Sequence, residues 1–190
     1  MYRYGNELAY SRHGLLLARL RAAGELEWSR AVVDSSQIET GPSPVDRGRP
    51  GSKHHLLVDQ TGIPLAYALT GSNRNDVTQL IPLLDAVPAV RGLVGRPRRR
   101  PDCVLADRGY DHDKYRRQVW ERGIKPVIAR RQTEHGSSLG RYRWVVERTF
   151  AWLHNFKRLL VRYERRAEMH EAMLALGCCL VCFRRLRSSI

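Results

Sequence analysis

Two short apolar segments that each end in an aspartate constrain the fold more than any other feature of this sequence. Residues 30–34 read RAVVD and residues 103–107 read CVLAD, and both have the length and composition of buried strands. In α/β sheets, ligands and catalytic groups collect at the carboxyl ends of the strands. If the two strands are neighbours, Asp34 and Asp107 meet at one edge of a sheet.

The rest of the chain alternates between strand and helix patterns. The segment HHLLVDQTGIPLAYALT predicts strands over 54–59 and 63–70, joined as a hairpin at Thr61 and Gly62. A further strand is predicted over 125–129. Apolar periodicity predicts helices over 10–28, from Asn75 or Asp76 to 87, and over 112–122, 141–162 and 168–186. This order predicts an α/β chain with a mixed sheet flanked by helices.

The charge of the chain indicates the kind of partner. Lys and Arg number 33 against 19 acidic residues, which gives a formal net charge of +14. A surface this positive attracts polyanions, of which nucleic acid is the commonest in a cell. The basic runs 47–53, 96–100 and 157–166 are candidates for contact with a nucleic-acid backbone. A solvated basic face is the alternative interpretation of such runs.

Two classes of protein are disfavoured by the sequence. No run of eighteen apolar residues is present, and the N-terminus has no apolar signal core, so we expect no membrane partner and a cytoplasmic, nucleoid-associated protein. The cysteines Cys178, Cys179 and Cys182 could form a metal or redox site. They lack a second ligand pair at zinc-like spacing, and we expect them to be small buried apolar side chains.

A pair of neighbouring carboxylates predicts a cation between them. Two carboxylates at one sheet edge repel each other, and hard oxygen ligands suit Mg²⁺ or Mn²⁺. A third acid would complete a two-metal site for in-line phosphoryl displacement. Glu147 is the candidate, because Arg143 lies one helical turn before it. Each residue also has a simpler interpretation: a surface ion pair for Glu147, a cap for Asp34 and a turn residue for Asp107.

Four segments in a fixed order carry a family resemblance. They are VVDSSQIE, RGRPGSKHHLLVDQTGIPLAYALTGSNRNDVTQL, VLADRGYD and RYRWVVERTFAWLHNFKRLLVRYE. Together they resemble the DDE transposases of bacterial insertion sequences, over roughly residues 26–185. The resemblance implies a ribonuclease-H-like mixed sheet flanked by helices. It also implies a helical remnant over 1–28 and a catalytic domain over 29–190.

The resemblance implies roles for particular residues. Asp34, Asp107 and Glu147 match the three catalytic acids, which hold two Mg²⁺ or Mn²⁺ ions. Arg143 matches an arginine that stands four residues before the glutamate. The family motif also has a Tyr and a Lys where this sequence has Gly140 and His154. The residues expected to bind DNA are Arg143, Lys53, His154, Lys157 and Arg158.

The implied activity is metal-dependent DNA cleavage at the ends of the element, followed by strand transfer into target DNA by a homodimer. Family members carry a helical DNA-binding region before the catalytic domain, whereas about thirty residues precede Asp34. We therefore expect either a truncated gene remnant or the downstream half of a two-frame element. Two alternatives stay open. One is a non-catalytic DNA-binding remnant, and the other is a metal-dependent DNA nuclease on the same fold.

Overall fold

The computed structural model describes residues 4–40, 51–131 and 140–188. The six helices are α1 (Tyr4–Ala22), α2 (Leu80–Ala86), α3 (Asp113–Glu121), α4 (Gly140–His154), α5 (Lys157–Leu160) and α6 (Ala167–Ser188). The six strands are β1 (Ala31–Thr40), β2 (Ser52–Asp59), β3 (Pro64–Gly71), β4 (Cys103–Ala106), β5 (Lys125–Ile128) and β6 (Val161–Arg162). Short 3₁₀ turns cover Asp76–Gln79 and Arg108–Tyr110.

The strands form a mixed sheet in the order β3-β2-β1-β4-β5, and β6 pairs with the far end of β1. Strand β2 is antiparallel to both β1 and β3, whereas β4 runs parallel to β1 and β5 runs parallel to β4. The predicted α/β class is confirmed, together with the hairpin and the strands β4 and β5. None of the described helices is both long and apolar enough to cross a lipid bilayer.

The predicted end of the first strand at Asp34 is wrong, because β1 continues to Thr40. Antiparallel pairing with β2 extends as far as Ile38, which is opposite Ser52. Pairing with β4 on the other side stops much earlier, at Val32. Asp34 therefore lies inside β1 but just beyond the point where its parallel neighbour ends.

The first helix also differs from its prediction over 10–28. Helix α1 ends at Ala22, and Gly24 follows with a φ of 73°. A glycine with positive φ just after the last turn is a common way for a helix to end. The chain then runs irregularly to Trp28, which is buried.

The single helix predicted over 141–162 is wrong, because α4 ends at His154 and Phe156 takes an extended backbone conformation. Leu153 and Leu159, on the two sides of the break, both pack against Gly177 of α6. A Cβ atom at Gly177 would lie 2.7 Å from Leu159 and 2.9 Å from Leu153. The break therefore allows both leucines to approach α6 closely.

The two faces of the sheet carry separate apolar cores. One core includes Leu17 and Leu20 of α1 together with residues from α2, α3 and the sheet. The other packs α4, α5 and α6 against side chains such as Val32 and Leu105. Cys178 is fully buried in the second core, as expected of a small apolar side chain. The division of the chain between residues 28 and 29 stays a prediction.

A buried chain of hydrogen bonds joins β2 to α6. Nε2 of His54 lies 2.9 Å from Nε2 of His170, and Nδ1 of His170 lies 3.0 Å from Oε2 of Glu164. Because Glu164 accepts the Nδ1 proton, Nε2 of His170 is the acceptor and His54 is the donor. Burial lowers the pKa of His54 to about 3, and the nearby His170 adds to the effect.

Three buried histidines, His13, His54 and His55, are expected to make the folded protein less stable in mild acid. Burial lowers the pKa of His13 and His55 to about 4, from 6.5. Between pH 6.5 and about 4 the unfolded chain binds more protons, so the free energy of unfolding falls as the pH falls. Each histidine contributes a slope of up to about 1.4 kcal/mol per pH unit. Urea unfolding at pH 7.5, 6.5 and 5.5 measures this slope.

A His54→Gln variant isolates the contribution of one histidine. We expect its free energy of unfolding to depend less on pH than that of the unmodified chain, by up to about 1.4 kcal/mol per unit. The variant is needed because burial raises the pKa of Asp34 and Asp59, which act in the opposite direction. An unchanged slope in the variant would contradict the assignment of His54 as a neutral buried group.

Candidate active site

Strand register brings Asp34 and Asp107 together. Val32 of β1 pairs with Leu105 of β4, and the same offset two residues further along places Asp34 opposite Asp107. Val32 and Leu105 both lie in the core on the side of α4. Because side chains two residues apart in a strand share a face, both aspartates point to the side of the sheet that α4 covers.

Arg143 on α4 bridges the two carboxylates. Its Nη2 atom lies 2.8 Å from Oδ2 of Asp34 and 3.9 Å from Oδ2 of Asp107. The side chain of Arg143 is 23% exposed, against 18% for Asp34 and 38% for Asp107. The structure therefore places three of the predicted site residues in one partly buried cluster.

Backbone amides fix the second oxygen of each aspartate. Oδ1 of Asp34 accepts a hydrogen bond from the amide of Ser35 at 2.8 Å. Oδ1 of Asp107 accepts one from the amide of Gly109, also at 2.8 Å, and so caps the 3₁₀ turn that follows β4. Asp107 is thus also a turn residue. Both carboxylates are oriented with Oδ2 towards Arg143.

The electrostatics of the pair favour a bound cation. Burial raises the pKa of Asp34, with a further contribution from the charge of Asp107, while Arg143 and the Ser35 amide act against the rise. Two adjacent carboxylates stay ionised together only when positive charge lies close to both. In this structure the guanidinium of Arg143 supplies that charge. The oxygen donors of Asp34 and Asp107 also fit a hard divalent ion such as Mg²⁺ or Mn²⁺.

Glu147 lies on α4, one turn beyond Arg143, and its side chain is exposed. Across residues 4–40, 51–131 and 140–188, no three His, Cys, Asp or Glu side chains lie close enough together to hold a metal ion. The role of Glu147 as the third ligand stays a prediction.

The β2–β3 hairpin holds α4 in place. The hydroxyl of Thr149 donates to the carbonyl of Gly62 at 2.8 Å, and Arg148 donates to the carbonyl of Thr61. The guanidinium of Arg148 also lies between the rings of Trp144 and Trp152. Gly62 has a φ of 90°, and a Cβ atom there would lie 3.0 Å from the Thr149 hydroxyl oxygen. The two hydrogen bonds to the hairpin join residues 87 positions apart in sequence, so local patterns do not reveal them.

The side chains of Lys53 and His154 contact other residues of the protein. Nζ of Lys53 lies 2.9 Å from a carboxylate oxygen of Asp76 and donates to the carbonyl of Arg74. His154 is half-buried beside His54, its Nε2 atom is buried, and burial lowers its pKa. Both side chains therefore contact other parts of the protein, and their expected contact with DNA stays a prediction.

Lys157 and Arg158 lie on α5 with exposed side chains. Nε of Arg158 lies 3.4 Å from a carboxylate oxygen of Glu164, an ion pair that is open to solvent on the arginine side. Both basic groups are accessible from solvent, and their contact with DNA stays a prediction.

Replacing Thr149 with valine tests the anchoring of α4. The change keeps the side-chain volume but leaves the buried carbonyl of Gly62 without its hydrogen bond. We expect the free energy of unfolding to fall by about 1–2 kcal/mol, measured by urea denaturation. Thr78→Val is the matched control, because the Thr78 hydroxyl bonds to Asn75 where solvent can replace it. Equal losses in the two variants would contradict the anchoring role.

Comparison with solved structures identifies the class of fold. A chain of the simian T-cell lymphotropic virus intasome, in complex with PP2A regulatory subunit B56 gamma, superposes with a TM-score of 0.50 at 14% sequence identity. The match covers 80% of this chain and 48% of that chain. The predicted ribonuclease-H-like fold, a mixed sheet flanked by helices, is confirmed.

Sequence comparison then identifies the family. The family model described as Transposase DDE domain matches residues 29–182, so the chain belongs to this family. A protein assigned as the transposase of insertion sequence element IS402 from Burkholderia cepacia is 61% identical over 161 residues, which are 83% of this chain and 76% of that protein. The transposase for IS1106 from Neisseria meningitidis serogroup B is 28% identical over 62% of this chain and 39% of its own length. The predicted resemblance to insertion-sequence transposases is confirmed.

Proposed function

We propose that this chain catalyses DNA transposition through metal-dependent cleavage of a phosphodiester at the end of an insertion sequence and transfer of the freed strand to target DNA. The observation that carries the proposal is the in-register pair Asp34 and Asp107, whose Oδ2 atoms both face Arg143. Two partly buried carboxylates that converge on one point supply the oxygen ligands that phosphoryl transfer at a divalent-metal site uses.

Asp34, Asp107 and Glu147 would hold two Mg²⁺ or Mn²⁺ ions. When bound, the ions supply Lewis acidity that favours attack on the phosphorus and offsets charge on the leaving 3′ oxygen. The backbone bonds of Ser35 and Gly109 keep the two aspartates oriented. Arg143 offers a guanidinium fork to the scissile phosphate, which is the geometry that binds phosphate bidentately.

The basic surface would hold the DNA backbone. The formal net charge is +14, and the exposed side chains of Lys157 and Arg158 lie on a short helix that directly follows α4. Such contacts fix the position of DNA without reading its sequence. We further propose that the element ends and the target are bound by a homodimer in the cytoplasm, on the nucleoid.

Nicking of supercoiled plasmid in the presence of Mn²⁺ tests the catalytic proposal. We expect the unmodified chain to convert supercoiled DNA to the open circle, and Asp107→Ala to do so no faster than buffer. Asp113→Asn is the matched control, because Asp113 is an exposed acid of α3 with an 82% exposed side chain. Its nicking rate is expected to equal that of the unmodified chain.

The same assay distinguishes the alternatives. Equal nicking by the unmodified chain and Asp107→Ala would contradict a role for Asp107 and favour a non-catalytic DNA-binding protein. Joining of a pre-cut, labelled element end to a target plasmid separates a transposase from a nuclease. Nicking without joining would leave a metal-dependent nuclease as the function of this chain.

Salt dependence of DNA binding tests which basic residues contact the backbone. We expect Lys157→Gln and Arg158→Gln each to reduce the slope of log K against log salt concentration by about 1. Lys53→Gln is expected to leave the slope unchanged and to lower stability, since it breaks the ion pair with Asp76. Fluorescence anisotropy of a labelled duplex measures the slope. An equal reduction in Lys53→Gln would show that Lys53 contacts DNA after all.

A further inference from the structure

Arg143 faces the same two oxygen atoms that a divalent ion would use. Its Nη2 atom lies 2.8 Å from Oδ2 of Asp34 and 3.9 Å from Oδ2 of Asp107. The Oδ1 atom of each aspartate accepts a backbone hydrogen bond, so Oδ2 is the atom that each presents to a cation. Arg143 and a metal ion therefore compete for one position.

The arginine can leave this position without movement of the helix that carries it. Thr149 and Arg148 fix α4 to the hairpin through the carbonyls of Gly62 and Thr61. The guanidinium of Arg143 is partly exposed, and the two ion pairs that it forms with described residues are both made through Nη2. Its Nε atom is buried and has no hydrogen-bond partner among the described residues. We therefore expect a change of side-chain rotamer to release the contact.

We propose that Arg143 is an exchangeable counter-ion, which neutralises Asp34 and Asp107 until divalent ions bind and then transfers to a phosphate of the DNA. This inference rests on the proposed function, because it takes the aspartate pair as the metal site. Carboxylate and phosphate oxygens accept the same guanidinium fork. Arg143 therefore offsets the repulsion between the aspartates in the metal-free protein. In the protein with metal and DNA bound, it is paired with a phosphate instead.

The exchange couples metal binding to DNA binding. Metal that displaces Arg143 frees a cation for the phosphate, and DNA that captures Arg143 frees the two carboxylates for metal. Coupling between two ligands is reciprocal in free energy, so each must increase the affinity of the other by the same factor. A residue that only contacted phosphate would leave the affinity for metal in the absence of DNA unchanged.

Binding of Mn²⁺ to the full chain without DNA is the first test. Loss of the free-ion electron paramagnetic resonance signal reports bound Mn²⁺. We expect Arg143→Gln to bind Mn²⁺ roughly tenfold more tightly than the unmodified chain, because a charge-assisted bond to the ligands is removed. Arg143→Lys keeps the charge and should fall between the two. Arg117→Gln makes the same change in net charge at an exposed position of α3, away from the aspartates, and should bind Mn²⁺ as the unmodified chain does.

The outcomes separate this inference from the proposed function. Unchanged or weaker Mn²⁺ binding by Arg143→Gln, with circular dichroism like that of the unmodified chain, overturns the inference alone. If Asp34→Asn and Asp107→Asn bind Mn²⁺ as tightly as the unmodified chain, the metal site itself is wrong and both proposals fail. If Arg143→Gln does not fold, Arg143→Lys is the variant that tests the inference. The inference is then overturned if Arg143→Lys binds Mn²⁺ no more tightly than the unmodified chain.

Binding of a short labelled duplex, with and without Mn²⁺, is the second test. Fluorescence anisotropy, read before the duplex is cleaved, measures the affinity for DNA. We expect Mn²⁺ to increase this affinity more in the unmodified chain than in Arg143→Gln. Arg158→Gln should bind DNA more weakly both with and without Mn²⁺, but Mn²⁺ should increase its affinity for DNA by the same factor as in the unmodified chain. If Arg143→Gln keeps the same gain as the unmodified chain, Arg143 is not the coupling element and the inference is overturned.

Discussion

Parallel pairing of β1 with β4 is the constraint on which the candidate site depends. The register that sets Val32 opposite Leu105 carries Asp34 to the level of Asp107, on the side of the sheet that α4 covers. A shift of one residue in either strand would turn its carboxylate to the opposite core. The hairpin then docks α4 through Thr149, and Arg143 can reach both acids.

The local sequence identifies aspartates at the ends of apolar strands, but it does not show which of these strand ends lie next to each other. Asp59 ends β2 in the run LLVD, a pattern very similar to those that end in Asp34 and Asp107. Because β2 runs antiparallel to β1, its carboxyl end lies opposite Ala31, at the other end of the strand pair. There the buried carboxylate of Asp59 accepts hydrogen bonds from the amides of Glu27, Thr61 and Ile63. Strand direction comes from the whole topology, so the short pattern alone does not separate a structural acid from a site acid.

Other differences from the sequence-based expectations also arise from contacts between residues that are distant in sequence. Buried strands and the hairpin have local signatures, and these were predictable. The extension of β1 past Asp34 depends on its pairing with β2, and the break after His154 depends on the close approach of Leu159 to Gly177. The internal pairing of Lys53 with Asp76 likewise joins separate elements. Apolar periodicity does not contain such contacts, because they join residues distant along the chain.

Diffraction from crystals soaked in Mn²⁺ would show whether Asp34 and Asp107 bind a divalent ion, since manganese can be located by its anomalous scattering. We expect anomalous density between the Oδ2 atoms of Asp34 and Asp107, with the guanidinium of Arg143 displaced from its present contacts. Anomalous density elsewhere in the molecule, with Arg143 still bonded to Asp34, would contradict the assignment of this pair as the metal site.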